Sequence, residues 1–190
     1  LCFSLRTLRL CGEIFNSIRK KKGFIQMKIT ILGSGTSTGV PEYKCDCEVC
    51  EDAKKRNGSK NYRTRSSIHI EDNGNHLQFD VGPNFMEQII KNDIHWIDAV
   101  LFTHCHADHI SGVNDLVMPC RKQKIDMPIY SSLETIEIIK RNNDYMFDPD
   151  VYQGGGVGHL IPNVVDSRFQ LCGFEITPIP VEHAAVFTLG

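Results

Sequence analysis

Residues 101–112 read LFTHCHADHISG, three histidines and one aspartate within six positions, directly after the apolar run Val100, Leu101 and Phe102. An apolar run that stops at such a turn reads as a buried strand whose end presents its next side chains to a common groove. His104 and His106 are two apart, so their rings can point the same way, and Asp108 and His109 come from the turn that follows. Neutral imidazoles and a carboxylate are the ligands that Zn, Mn and Fe accept. A polar turn that only needed hydrogen bonds would be met by Ser or Asn. The fold must therefore end a buried strand at an open rim and place several loops beside it.

The flanking sequence supplies such elements. MKITIL, from Met27, alternates and is β-branched, and it runs into the small-residue loop GSGTSTGVP. SSIHIED and HLQFDV are strand-like runs around Asn73-Gly74, a pair suited to a hairpin because both residues tolerate positive φ. NFMEQIIKN reads as a short helix, WIDAVLFTH as a buried strand, and the segment from Gly112 as helical up to Pro119. MPIYSS gives a further strand, and Ser131 with Glu134 forms a capping box opening the helix LETIEIIKR. A Gly- and Pro-rich loop around YQGGGVGHLIP follows, and FQLCGFEITPIPVEH closes as a second hairpin. Strands with interspersed helices predict an α/β domain whose loops at one end of the strands carry the chemistry.

Composition removes several function classes. With 41% hydrophobic and 23% charged residues, the 190-residue chain has the makings of one globular core. No apolar stretch approaches the roughly 20 residues that cross a bilayer. A net charge of −2 gives no global field for phosphate backbones, which argues against a nucleic-acid partner. Of eight cysteines, Cys45, Cys47 and Cys50 cluster and the rest are solitary. That pattern favours metal ligands and free thiols in a cytoplasmic protein over a disulfide framework. Residues 1–26 carry Arg6 and Arg9 where a secretory signal needs an apolar core, and the domain is expected to begin at Met27, with 1–26 a non-domain extension. The isolated His69, His76, His95 and His159 are expected to be ordinary surface or half-buried residues. Cys105, between two candidate ligands, reads as a spacer pointing away. GSGTSTG lacks the lysine of a nucleotide-binding loop.

THCHADH resembles the H-x-H-x-D-H signature of the metallo-β-lactamase-fold hydrolases. Asp80 in LQFDVGP is similar to that family's early aspartate after a strand, and His183 in PIPVEH to its third histidine. ILGSGTSTGVP followed by CDCEVC resembles the branch containing phosphoribosyl cyclic phosphate phosphodiesterase. The resemblance implies a four-layer αββα sandwich over 27–190, with the metals in a groove at one edge. It implies two divalent ions, Zn or Mn: His104, His106 and His183 on one, Asp108 and His109 beginning the second site and acting as catalytic residues, and Asp80 orienting the turn from behind. Cys45, Cys47 and Cys50 would hold a structural zinc. His106 where one branch has glutamate argues against oxygen reduction, and His109 after Asp108 favours a phosphodiesterase or thioesterase over the commonest antibiotic-degrading kind.

The implied function is hydrolysis of a small phosphodiester, a cyclic one included, by hydroxide generated at the ions. The alternatives are a thioester or lactone hydrolase, an RNA-processing nuclease of the same fold, or a metal-binding protein without turnover, and a homodimer is compatible with all of them. Family members continue past the third histidine to a bridging aspartate and a final histidine. Only AAVFTLG follows His183, so the resemblance leads us to expect a domain incomplete at its C-terminal side.

Overall fold

The computed structural model describes residues 27–56, 58–148, 158–183 and 186–189; the expected extension at 1–26 and the glycine-rich stretch at 152–157 lie outside them. Six strands form one mixed sheet in sequence order: β1 (Lys28–Gly33), β2 (Ser67–Asp72), β3 (Asn75–Phe79), β4 (Ala99–Leu101), β5 (Met127–Ser131) and β6 (Leu160–Val164). β1–β2 and β2–β3 pair antiparallel, and β3 to β6 are parallel. The β2–β3 connection is the Asn73-Gly74 turn, with φ of 51° and 80°. This is the two-residue positive-φ geometry that matches strand twist.

The parallel connections carry helices: α2 (Phe85–Lys91) after β3, then after β4 the short α3 (Ala107–Ile110), a 3-10 turn (Val113–Leu116) and α4 (Val117–Gln123). α5 (Leu133–Asn142) follows β5. A helix not expected from the sequence, α1 (Glu48–Lys54), grows out of the cysteine cluster, so Cys50 lies on a helix and not in a loop.

Alternation along the strands separates two faces. Val100, Met127 and Ile129 join Phe85, Ile89, Leu116, Ile136 and Ile139 in the core beneath the helices. Leu77, Ala99 and Leu101 face the other way, against Leu171 and Phe174 of the hairpin β7 (Phe169–Leu171) and β8 (Phe174–Ile176). Each large apolar side chain buried here stabilises by about 1.5–3 kcal/mol. Among the described residues the result is a layer of helices, a layer of sheet and a hairpin layer, the α/β class that the sequence pattern predicts. β9 (Pro180–His183) and β10 (Val186–Leu189) pair separately and carry His183.

Three local expectations are corrected. Pro119 does not end a helix; it sits in the first turn of α4, where a missing N–H removes no intrahelical bond. The histidine-bearing strand pairs only over Ala99–Leu101, although Phe102 beyond it is buried. The cap of α5 is Ser132 and not Ser131: Ser132 Oγ accepts from the Thr135 amide, while Ser131 Oγ donates to the Phe102 carbonyl at 2.7 Å. Ser132→Ala should therefore lower unfolding stability by about 1 kcal/mol in denaturant titrations. An unchanged midpoint would show that the cap contributes nothing.

Candidate metal centre

β3 and β4 run parallel and stop at the same level, so the residues after each become neighbours. After β3 the chain turns through Asp80, which has φ of 56°, a left-handed conformation that a short polar side chain tolerates. Its backbone is fixed from both sides, since its N–H donates to Leu101 O and its carbonyl accepts from Ser67 Oγ and Gln78 Nε2. Its carboxylate, buried with 4% exposure, faces the segment after β4. There it accepts from the Thr103 amide (2.8 Å), the Thr103 hydroxyl (3.0 and 3.1 Å) and His109 Nδ1 (2.6 Å).

The turn is held equally closely through its backbone. Val81 N donates to His109 O and Gly112 N to Val81 O. A Cβ on Gly82 would stand 2.1 Å from Asp108 O, and one on Gly112 would stand 2.1 Å from Gly82 O. Neither position admits a side chain without displacing the turn. Farther from the turn, Gly33 and Gly35 of the small-residue loop pack against the Arg65 and Thr64 carbonyls.

The frame gathers the imidazoles. Ligand atoms of His104, His106 and His183 all lie within 4.8 Å of one another. His104 Nε2 is 3.0 Å from His106 Nδ1, and the His183 ring centroid is 4.9 and 5.0 Å from those of His104 and His106. His109 packs against His104 with centroids 4.2 Å apart, and its Nε2 lies 3.3 Å from Asp108 Oδ2. Desolvation, with help from the neighbouring His109 and His106, pulls the His104 pKa down to about 4, so this ring is neutral at neutral pH. Burial also pulls on His109, but the hydrogen bond and charge of Asp80, with the charge of Asp108, outweigh it and raise the pKa. A buried neutral imidazole beside two more is the donor set that Zn, Mn or Fe accepts, and the spacing suits a single ion.

The cysteines converge as well. The Sγ atoms of Cys45, Cys47 and Cys50 lie within 4.8 Å of one another, with Cys45 to Cys47 at 3.4 Å. The Cys50 backbone N–H and the Cys45 thiol draw the Cys47 pKa down, toward the thiolate that a metal takes. Cys105 is half-buried against the helical-side core, and burial pushes its thiol up. His69 departs from the sequence expectation: it is buried, with Nδ1 3.3 Å from Gln78 Oε1 and Nε2 3.2 Å from His76 Nδ1. His76 and His159 are half-buried, and His95 is exposed beside Asp93. Sequence reasoning missed Thr103, Gly82 and Gly112, although a hydroxyl next to the first histidine and glycines in DVG and HISG were there to see.

A family model described as a β-lactamase superfamily domain matches residues 75–189. An octanoyltransferase of Porphyromonas gingivalis is 33% identical over 165 residues, 86% of this chain and 32% of that protein. Coenzyme PQQ synthesis protein B of Methylobacterium radiotolerans is 28% identical over 166 residues, 82% of this chain and 52% of that one. Among solved structures, a diphosphatase from the PhnP family is 30% identical with a TM-score of 0.74, covering 87% of this chain and 61% of its own. Zinc-bound PqqB from Methylobacterium extorquens, 23% identical with a TM-score of 0.63 over 87% of this chain and 58% of its own, shares the fold. The chain thus spans about a third to a half of these curated relatives and about three fifths of these structures.

Burial gives the metal-free protein a definite acid response. His69, pulled down to about 4 mainly by desolvation, and His104 both resist protonation when folded, while the unfolded chain takes up those protons near 6.5. The part of the stability held by these two histidines should therefore be lost as pH drops from about 6.5 to about 4. His109 acts oppositely: its contribution is fully present below 6.5 and is lost as pH rises through its raised folded pKa, so it adds no slope in the acid window. Urea unfolding across that window checks this, and a flat profile would contradict it.

Proposed function

The chain belongs to the β-lactamase superfamily, and on that premise we propose that it is a metal-dependent hydrolase whose substrate is a small phosphodiester, a cyclic one included. The observation that carries the reading is the convergence of His183, on β9, with His104 and His106 at the carboxyl end of β4, their ligand atoms all within 4.8 Å of one another. The likeness to a PhnP-family diphosphatase, at 30% identity, supports phosphorus over carbon as the centre attacked. The likeness to the octanoyltransferase spans only 32% of that protein.

His104, His106 and His183 would hold one divalent ion, Zn or Mn, and Asp108 with His109 would contribute to a second. Bound there, such an ion would supply Lewis acidity and make water a competent nucleophile near neutral pH. The chain's own residues do the rest. Asp80 and the backbone of Val81 fix the turn, so that the ligand atoms are placed before substrate arrives. Asp108 Oδ2, 3.3 Å from His109 Nε2, is a carboxylate on the same rim that can accept a proton from water entering the groove. No protein nucleophile is required, and the half-buried Cys105 with its raised pKa is not recruited.

Hydrolysis of bis-p-nitrophenyl phosphate with added Mn or Zn tests the reading. Turnover should depend on metal, and His104→Ala should reduce it to the metal-free background. Metal-independent turnover, or full activity in the variant, would overturn the site. Thioester or lactone hydrolysis in place of phosphodiester hydrolysis would move the substrate class and leave the metal centre standing.

The cysteine cluster has a separate role in this reading, a structural zinc on Cys45, Cys47 and Cys50 that anchors the start of α1. Cys47→Ser should lose that zinc and melt at a lower temperature while keeping its turnover per folded molecule. Unchanged zinc content and melting would leave three ordinary thiols.

A further inference from the structure

We infer that the Thr103 hydroxyl is a positioning group that sets the tautomer of His104, so that a buried carboxylate, acting through that hydroxyl, leaves the Nε2 lone pair of His104 directed at the three-histidine cluster. The inference rests on the proposed metal-ligand role of the histidines, and it goes beyond that role by assigning the proton on the His104 ring.

The assignment follows from counting donors around one oxygen. Thr103 Oγ1 lies 3.1 and 3.0 Å from the two Asp80 oxygens and 2.9 Å from His104 Nδ1. A hydroxyl has one proton and two lone pairs, and an ionised carboxylate only accepts. If the proton went to His104 Nδ1, three acceptor oxygens would face one another at hydrogen-bond distance with nothing between them. The proton therefore goes to Asp80, and the hydroxyl must accept from His104. His104 carries its hydrogen on Nδ1, and its Nε2 lone pair points to His106 Nδ1, 3.0 Å away and inside the three-histidine cluster.

Asp80 treats His109 more directly. Its Oδ2 lies 2.6 Å from His109 Nδ1, so that nitrogen is the donor, while His109 Nε2 lies 3.3 Å from the Asp108 carboxylate. One carboxylate thus sets two rings, His109 by contact and His104 through a hydroxyl. The Thr103 amide, donating to Oδ1 at 2.8 Å, holds the intermediary in register. On His104 the Nε2 is left as the only ring atom that can bind an ion without first losing a proton.

The isosteric substitution Thr103→Val removes the acceptor and keeps the shape. His104 Nδ1–H would then be stranded in a site with 4% exposure, and the ring would move its hydrogen to Nε2, the ligand atom. Thr103→Ser keeps the hydroxyl. Two readouts on metal-free protein decide the matter. In 15N-histidine spectra with the rings neutral, the wild type and Thr103→Ser should show His104 protonated at Nδ1, and Thr103→Val should show it protonated at Nε2. Calorimetric titration with Zn should give wild-type affinity for Thr103→Ser and an affinity reduced about 10–100-fold for Thr103→Val.

A wild-type His104 protonated at Nε2 overturns the inference by itself, even if Thr103→Val fails to fold. Equal Zn affinity in Thr103→Val and the wild type overturns it too. A wild type that shows the Nδ1–H tautomer but binds no metal would instead sink the proposed function and leave the proton assignment intact.

Discussion

A single buried carboxylate holds this site together. Asp80 is 4% exposed and collects an amide, a hydroxyl and an imidazole from the turn that follows β4. A desolvated charge is costly unless its oxygens are filled with donors, and here the donors come from the residues that must be placed. The same bonds that make burial of the charge tolerable therefore fix where Thr103, His104 and His109 stand. The left-handed backbone at Asp80 belongs to this arrangement, because it turns the chain at the end of β3 and aims the carboxylate across at the end of β4.

Beneath Asp80 lies a second polar tier. Gln78, completely buried, donates to Ser67 Oγ and to the Phe79 and Asp80 carbonyls, and its Oε1 faces His69 Nδ1. Because Gln78 Nε2 must face carbonyls, Oε1 is left to accept and His69 carries its hydrogen on Nδ1. Buried polar groups of this kind are stabilising only when complete, and these are satisfied. The tier ties β2 and β3 together at the point where the chain turns, so the site stands on sheet structure and not on loops alone. The sheet's order matters for the same reason. β3 and β4 are adjacent and parallel, so both carboxyl ends open on one rim, where ligands of open α/β sheets bind.

Much of this was legible in the sequence because it is local. The Asn73-Gly74 hairpin, the strand–turn pattern around THCHADH and the helices after Asn84 and Ser132 are written in neighbouring residues. The resemblance also pointed to Asp80 and His183, far apart in sequence, which the fold brings against the turn that carries His104, His106 and His109. What escaped were decisions made by tertiary contact. Ser131 and Ser132 are the same residue type, and only the Phe102 carbonyl beside one of them decides which is left to cap α5. Gly82 and Gly112 gain their meaning from each other and from the Asp108 carbonyl. Thr103 is an unremarkable strand-end residue until a carboxylate from 23 positions earlier arrives beside it.

The dependence of the site on one charge is open to a single direct measurement. Asp80→Asn keeps the size of the side chain but replaces one acceptor oxygen by an NH2, which cannot accept from both Thr103 and His109. Zinc titrated calorimetrically into metal-free wild type and Asp80→Asn, each shown to melt cooperatively, should reveal an affinity for the histidine groove that is about 10–100-fold weaker in the variant. Equal affinities in two folded proteins would show that the histidines hold their places without the carboxylate, and would contradict the role given to Asp80.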